Sequence, residues 1–309
     1  MMLALVFPGQ GSQATGMMQP FAESKIVRET FAEASEAVGQ DLWKLAAEGP
    51  AEELNATVNT QPIMLTAGYA VYRAWHEAGG AVPAMVAGHS LGEYTALVVA
   101  GVIAFRDAVP LVRFRAQAMQ EAVPMGTGAM AAILGLDDDA VRAACAEAAQ
   151  NEIVEAVNFN APSQVVIAGH KTAVERGAAA AKARGAKRAL MLPVSAPFHS
   201  SLLKPAAERL AEYMHNVKFS APSIPVVNNV DVAVIADPEA IKAALARQAC
   251  SPVRWVELIK HMATAGVTHV AECGPGKVLA GLTRRIDGGL QGFSITDPQS
   301  LAQTVGATK

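Results

Sequence analysis

The chain has 309 residues, 51% of them hydrophobic but only 5% aromatic, with a formal net charge of -3 and three cysteines. That balance excludes the concentrated basic surface of a nucleic-acid protein, and no stretch reaches the roughly 18 uninterrupted apolar residues of a membrane span. Cys145, Cys250 and Cys273 stand far apart, in neither metal-ligand spacing nor a disulfide framework, which points to a reducing cytoplasm and a site without metal.

The apolar start, "LALVF" (3–7), reads as a first buried strand, because a basic n-region and a small-residue cleavage site are missing. Helical periodicity follows over 21–39 and 61–80, then a short strand at 84–88 and a helix over 105–122. This alternation predicts an α/β fold with a parallel sheet covered by helices. After "VPMGTG" (123–128) the order becomes strand (129–135), helix (137–150), two strands (152–158 and 163–169), helix (171–185) and strand (186–193). Strand-helix-strand-strand-helix-strand is the order of a ferredoxin-like unit, so a small subdomain is expected over 126–190 within a large domain of 1–125 and 191–309. The α/β pattern resumes with a helix after Phe198, a strand at 224–229 and helices at 238–248 and 253–265. A strand at 268–272 and a helix opened by Gly-Pro-Gly at 274–276 complete it.

Gly88-His89-Ser90-Leu91-Gly92 fits G-x-S-x-G, in which a strand turns sharply into a helix and leaves the serine exposed at the bend. The strand before it and the helix after it are the required context, and the first amides of that helix can hold an oxyanion. Serine is a weak nucleophile and needs a base, most often histidine. Of seven histidines, His76, His215 and His261 fall on helical patterns, His170 at a turn and His269 before a strand. His89 adjoins Ser90 on a sharp turn and is expected to shape it. His199, in "PVSAPFHSS", follows a proline-bracketed loop just as a helix begins, and is the preferred base.

"GQGSQA" (9–14) formally fits the dinucleotide fingerprint G-x-G-x-x-[GA]. The acid that should follow about 20 positions on, after a second strand, is missing: Glu29, Glu33 and Glu36 lie in a helical pattern. The segment reads instead as a wide loop whose free amides complete an oxyanion site beside Ser90. "ECGPGKVL" (272–279) lacks the phosphate-loop spacing.

Taken together, "FPGQGSQ" (7–13), "NTQP" (59–62), "GHSLGEY" (88–94), "RAQAMQEA" (115–122), "NFNAPSQVVIAG" (158–169), "VSAPFHS" (194–200), "RQACSPVRW" (247–255) and "ECGPGKVLAGL" (272–282) resemble the malonyl-CoA:acyl carrier protein transacylases. More broadly they resemble the acyltransferase domains of fatty-acid and polyketide synthases. The resemblance implies an α/β-hydrolase-like core with a ferredoxin-like insert. It implies Ser90 as the acyl-accepting nucleophile, His199 as base and then acid, and Gln248 steadying the imidazole through its backbone carbonyl. Gln10 and Leu91 would give the oxyanion amides, and Arg115 would grip the malonyl carboxylate. A guanidinium fork suits a carboxylate better than lysine does. Arg113 and Arg115 are two apart on one helix and face different sides; the resemblance selects Arg115. Cys250 and Cys273 replace small residues commoner at those motif positions, without a catalytic role.

The implied reaction moves malonyl from the coenzyme A thioester to Ser90 and then to the phosphopantetheine thiol of acyl carrier protein, in fatty-acid biosynthesis. No cofactor is needed, a monomer is expected, and basic residues such as Lys187 and Arg188 would guide the carrier. The rival is a serine esterase or thioesterase of α/β-hydrolase type, which would want an acid between Ser90 and His199. Asp107, Asp137 to Asp139 and Glu147 are ill placed for that. A non-catalytic carrier-docking module would not need the Ser90, His199 and Arg115 set.

Overall fold

The computed structural model describes residues 1–308 and holds two separate sheets. In chain order, β1 (Leu3–Phe7) leads through a loop to α1 (Lys25–Val38), α2 (Leu42–Glu48), α3 (Ala51–Asn55) and α4 (Thr57–Glu77). Next come β2 (Met85–Gly88), α5 (Gly92–Val99) and α6 (Phe105–Glu121). A second group comprises β3 (Gly128–Leu134), α7 (Asp138–Ala149), β4 (Val154–Ala161), β5 (Gln164–His170), α8 (Lys171–Ala183) and β6 (Arg188–Met191). The chain closes with α9 (Lys204–Met214), α10 (Pro238–Ala249), α11 (Trp255–Thr264), β7 (His269–Cys273), α12 (Val278–Ile286), β8 (Gln291–Ile295) and α13 (Pro298–Ala307).

The first sheet is parallel, in the order β2-β1-β7-β8. Every residue of β1 is buried, as a central parallel strand with helices on both faces requires. Helices α4 and α6 pack on one side with Phe7, Ile63 and Val112 in the main core; α11 and α12 close the other side around Val6, Trp255 and Leu279. Asp41, Asp137, Asp237 and Asp297 accept the N–H three residues on and cap α2, α7, α10 and α13, each worth about 1 kcal/mol. No helix among the described residues is long and apolar enough to cross a membrane.

The second sheet is antiparallel, in the order β4-β5-β3-β6. One face packs on α7 and α8 through Ile133, Val165 and Ile167; the other presents Met130, Val157, Val166 and Ala168 to Leu192, Val194 and Phe198. That second face roofs the cleft described below. Its edge strand is tied to the rest of the molecule, with Phe159 N–H donating to Val253 O at 3.0 Å and Val253 N–H to Val157 O at 2.8 Å.

The expected strand at 224–229 is only a fragment. It touches β2 through Val86 N–H to Pro225 O (2.9 Å) and Val227 N–H to Val86 O (3.0 Å), and Val227 then bridges to Val234. Pro222 and Pro225 have no N–H for a longer ladder, and the segment turns so that Asn228 and Asn229 leave the sheet direction. The short helices α2 and α3, the strand β8 and the helix α13 lie outside the sequence-based expectations.

The elbow depends on close backbone approaches. A Cβ on Gly92 would stand 2.0 Å from the Phe7 carbonyl oxygen, and one on Gly88 would stand 1.8 Å from the Gly92 carbonyl carbon. Since neither neighbour is a flexible side-chain end, Gly92→Ala must displace α5 from β1. A loss of about 1–3 kcal/mol is expected, to be checked by urea unfolding; an unchanged midpoint would contradict this packing.

Candidate active site

Ser90 sits between β2 and α5 with φ of 52°, a left-handed conformation that a non-glycine residue adopts only under constraint. The constraint is visible: Ser90 N–H donates to Asn229 Oδ1 at 2.8 Å, and Asn229 Nδ2 donates to Gly88 O at 2.8 Å. One asparagine side chain thus pins both sides of the bend. Its own main-chain N–H donates to Glu93 Oε2 at 2.9 Å.

His199 also has a positive φ, 67°, in the turn before α9, and is almost wholly buried. Its Nδ1 lies 2.8 Å from the Gln248 carbonyl oxygen and its Nε2 lies 2.7 Å from Ser90 Oγ. A carbonyl can only accept, so Nδ1 carries the proton and the neutral ring turns a lone pair on Nε2 toward the serine hydroxyl. Burial, followed by the Arg115 guanidinium, pushes the imidazole down to about 3, against the Gln248 carbonyl, which acts to raise it.

Arg115, from α6, is 2% exposed and reaches the Ser90 hydroxyl. Its Nη1 donates to Gln61 Oε1 (2.9 Å) and its Nη2 to Gln248 Oε1 (2.9 Å) and Ser90 Oγ (3.2 Å). Its face lies 5.3 Å from the Tyr94 ring centroid. All three hydrogen-bond partners are neutral oxygens, and Nε has no partner among the described residues. The burial of this cation is therefore compensated by neutral hydrogen-bond acceptors alone. Arg113 points elsewhere, to Val38 O and Gln40 Oε1.

These groups open on a cleft of about 420 Å³ whose walls include Gln10, Ser90, Leu91, Arg115, Met130 and His199. The loop carrying "GQGSQ" lies against the elbow so closely that a Cβ on Gly9 would be 2.5 Å from His89 O. Neither Gln10 N–H nor Leu91 N–H has a protein acceptor among the described residues. The loop after β7 backs this arrangement, with Gly274 against Pro8 and Gly276 against Ser12.

The structure therefore brings Ser90, His199, Gln248, Arg115, Gln10 and Leu91 together from five separate parts of the chain. His89 lines the same cleft, bonded through Nε2 to Asn160 Oδ1 at 2.8 Å and tilted on Trp255. His170 closes a turn by accepting Ile153 N–H, while Lys187 and Arg188 are exposed at the start of β6, beyond the cleft wall at Leu192 and Pro193. Among the described residues no cluster of three or more His, Cys, Asp or Glu is placed to hold a metal.

Sequence reasoning missed Glu93, Asn229 and Gln61. Glu93 left a trace, as an isolated acid in the apolar run "GEYTALVV". Asn229 and Gln61 left little, because a single amide in a mixed segment says nothing of its distant partner.

Residues 4–290 match the family described as the acyl transferase domain, which gives the strand, elbow and cleft their class. The malonyl CoA-acyl carrier protein transacylase of Escherichia coli K12 is 59% identical, with 97% of each chain covered. That of Bacillus subtilis is 43% identical, over 99% of this chain and 97% of its own. Among solved structures, an acyl-carrier-protein S-malonyltransferase from Burkholderia pseudomallei superposes with a TM-score of 0.98 at 68% identity, covering 99% of this chain and 100% of the other. A malonyl-transacylase in complex with its type II PKS acyl-carrier protein superposes with a TM-score of 0.98 at 52% identity, over 99% and 100%. The chain belongs to the malonyl CoA-acyl carrier protein transacylase family.

The depressed basicity of His199 has a direct consequence. Its ring nitrogens should keep the shifts of a neutral imidazole from pH 8 to pH 5 in a ¹⁵N NMR titration, Nδ1 protonated; an imidazolium forming near its ordinary value of about 6.5 would contradict the site geometry. The unfolded chain would bind that proton near 6.5 and the native chain only near 3, so acidification through this window withdraws stability from the fold.

Proposed function

We infer that this chain transfers a malonyl group from malonyl-CoA to the phosphopantetheine thiol of acyl carrier protein through a malonyl-serine, and that it serves fatty-acid biosynthesis. Full-length relatives carrying that activity in their names support the reading. The structural observation that carries it is the buried Arg115, bonded only to neutral oxygens and facing the Ser90 hydroxyl.

Each residue then has a task. The neutral His199 accepts the Ser90 proton as Oγ attacks the thioester carbon, and the tetrahedral oxygen moves toward the free amides of Gln10 and Leu91. On collapse the carbon–sulfur bond breaks and the imidazolium returns its proton to the departing coenzyme A thiolate. Malonyl is left on Ser90 with its carboxylate on Arg115. The carrier thiol enters the same cleft, loses its proton to His199, and attacks; the proton goes back to Ser90 Oγ as the ester breaks. Gln248 O holds the ring throughout and stabilises the brief imidazolium as a dipole. The chemistry draws on these side chains and main-chain groups, with no cofactor.

The finer architecture follows the same reading. The strand order of the antiparallel sheet and its alternation with α7 and α8 support a ferredoxin-like subdomain over 126–190, inserted into an α/β-hydrolase-like catalytic domain of 1–125 and 191–309. Met130 and Asn158 from the insert line the cleft, so its sheet closes the site.

Acid-quenched mass spectrometry tests the reading. Malonyl-CoA should label wild type at Ser90, Ser90→Ala should stay unlabelled, and added carrier should remove the label to its thiol. Loss of the label to water at the same rate with or without carrier would favour the esterase alternative and overturn transfer. Arg115→Ala should lower malonyl loading by about 100-fold or more, as expected when a desolvated charge pair is lost, while acetyl loading from acetyl-CoA falls much less. Equal losses for both would remove the carboxylate clamp.

A further inference from the structure

Glu93 lies in the first turn of α5, just beyond Ser90, and is 2% exposed. A carboxylate there is costly unless hydrogen-bonded. Its Oε2 accepts two hydrogen bonds, from Gln248 Nε2 and from Asn229 N–H, both at 2.9 Å. Each donor leads back into the site by its own route. Asn229 pins the elbow through Ser90 N–H and Gly88 O. Gln248 Nε2 also donates to Ser90 O at 2.9 Å, while its Oε1 accepts from Arg115.

The two ends of a glutamine amide have nearly the same shape, so hydrogen bonding decides which way it faces. Arg115 can only donate. An ionised Glu93 and the Ser90 carbonyl can only accept. The Gln248 amide is thus aligned between an anion and a cation, its oxygen toward α6 and its nitrogen toward α5, an arrangement in which each bond strengthens the other. A proton on Glu93 would put a donor opposite the Gln248 amide nitrogen and weaken the alignment.

We propose that Glu93 is a positioning residue for the carboxylate clamp: by orienting the Gln248 amide it holds the Arg115 guanidinium beside Ser90, and so favours acyl groups that end in a carboxylate. The inference rests on the transfer reading above and names the part of the site that sets its preference among acyl groups.

The charged or titratable groups acting on Glu93 are Arg115 on α6, Asp231 beyond Asn229 and Tyr94 on α5 itself; Arg247 on α10 pairs with Asp231, and His199 in the turn before α9 is linked to Glu93 through Gln248. His199 sits at about 3 and Tyr94 at about 12, Asp231 is held below its ordinary range by Arg247, and the guanidinium groups stay charged. Burial pushes Glu93 up to about 7, against the lowering effect of Gln248, Asn229 and Arg115. Glu93 is therefore the member of this set that changes charge near neutrality.

The test is the rate of Ser90 acylation by malonyl-CoA and by acetyl-CoA, followed by quenched-flow mass spectrometry from about pH 5.5 to 8.5, in wild type and Glu93→Gln, with near-UV circular dichroism to establish the fold. In wild type the malonyl-to-acetyl ratio should climb as the pH rises through about 7 and Glu93 loses its proton. In Glu93→Gln the ratio should be about 10-fold lower or less and level with pH, as a displaced clamp predicts. A folded Glu93→Gln with the wild-type ratio and pH dependence would overturn the proposal. Should that variant fail to fold, the wild-type ratio decides alone, and a level ratio across the range overturns it. Absence of any label on wild-type Ser90 would overturn the transfer reading and this inference with it.

Discussion

Gln248 is the point on which the site depends. Its main-chain carbonyl holds His199, its side-chain oxygen holds Arg115, and its side-chain nitrogen holds Glu93 and the Ser90 carbonyl. One residue at the end of α10 thus ties together the base, the cation and the elbow, which come from three other parts of the chain. The contacts to His199, Arg115 and Glu93 are buried and the one to the Ser90 carbonyl is partly buried; a missing partner in such surroundings costs about 1–3 kcal/mol, or more for a charged group. Displacing Gln248 would therefore disturb every other group at once.

The carbonyl on Nδ1 also shapes the chemistry. A carboxylate in its place would stabilise an imidazolium and raise the ring's basicity. Burial, and after it the Arg115 guanidinium, hold His199 well below its ordinary range, and the Gln248 carbonyl offsets this only in part. In the proposed reaction an imidazolium so placed gives its proton up readily, first to the departing thiolate and later to the serine oxygen. Both reacting residues also carry positive φ values, at a cost of about 1–3 kcal/mol each. The close glycine contacts at Gly88 and Gly92 and the Asn229 side chain offset that strain for Ser90.

The elbow was legible because its requirement is local: two glycines around a serine, with a strand before and a helix after. The antiparallel unit was legible for a similar reason, since its strands and helices alternate over a short span with clear periodicity. Other features were not. Arg113 and Arg115 cannot be told apart from spacing alone; only their tertiary partners, Gln40 for one and Gln61 with Gln248 for the other, separate them. Glu93 and Asn229 act across 136 residues, so neither segment reveals its partner. The segment 224–229 has a strand-like sequence, but Pro225 and the preceding Pro222 limit it to a bridge; Asn229 serves the elbow, while Asn228 closes a local turn with Asp231 and Ala233.

The central claim is that Ser90, His199 and Arg115 form one receptor for a carboxylate-ended acyl group. The most direct measurement is a crystal structure of the malonyl-serine formed on the wild-type protein by malonyl-CoA with no carrier present. The ester carbonyl oxygen should lie within hydrogen-bond distance of both Gln10 N–H and Leu91 N–H, with both carboxylate oxygens on the Arg115 guanidinium. A malonyl group whose carboxylate faces solvent, while Arg115 stays bonded only to Gln61 and Gln248, would contradict the account.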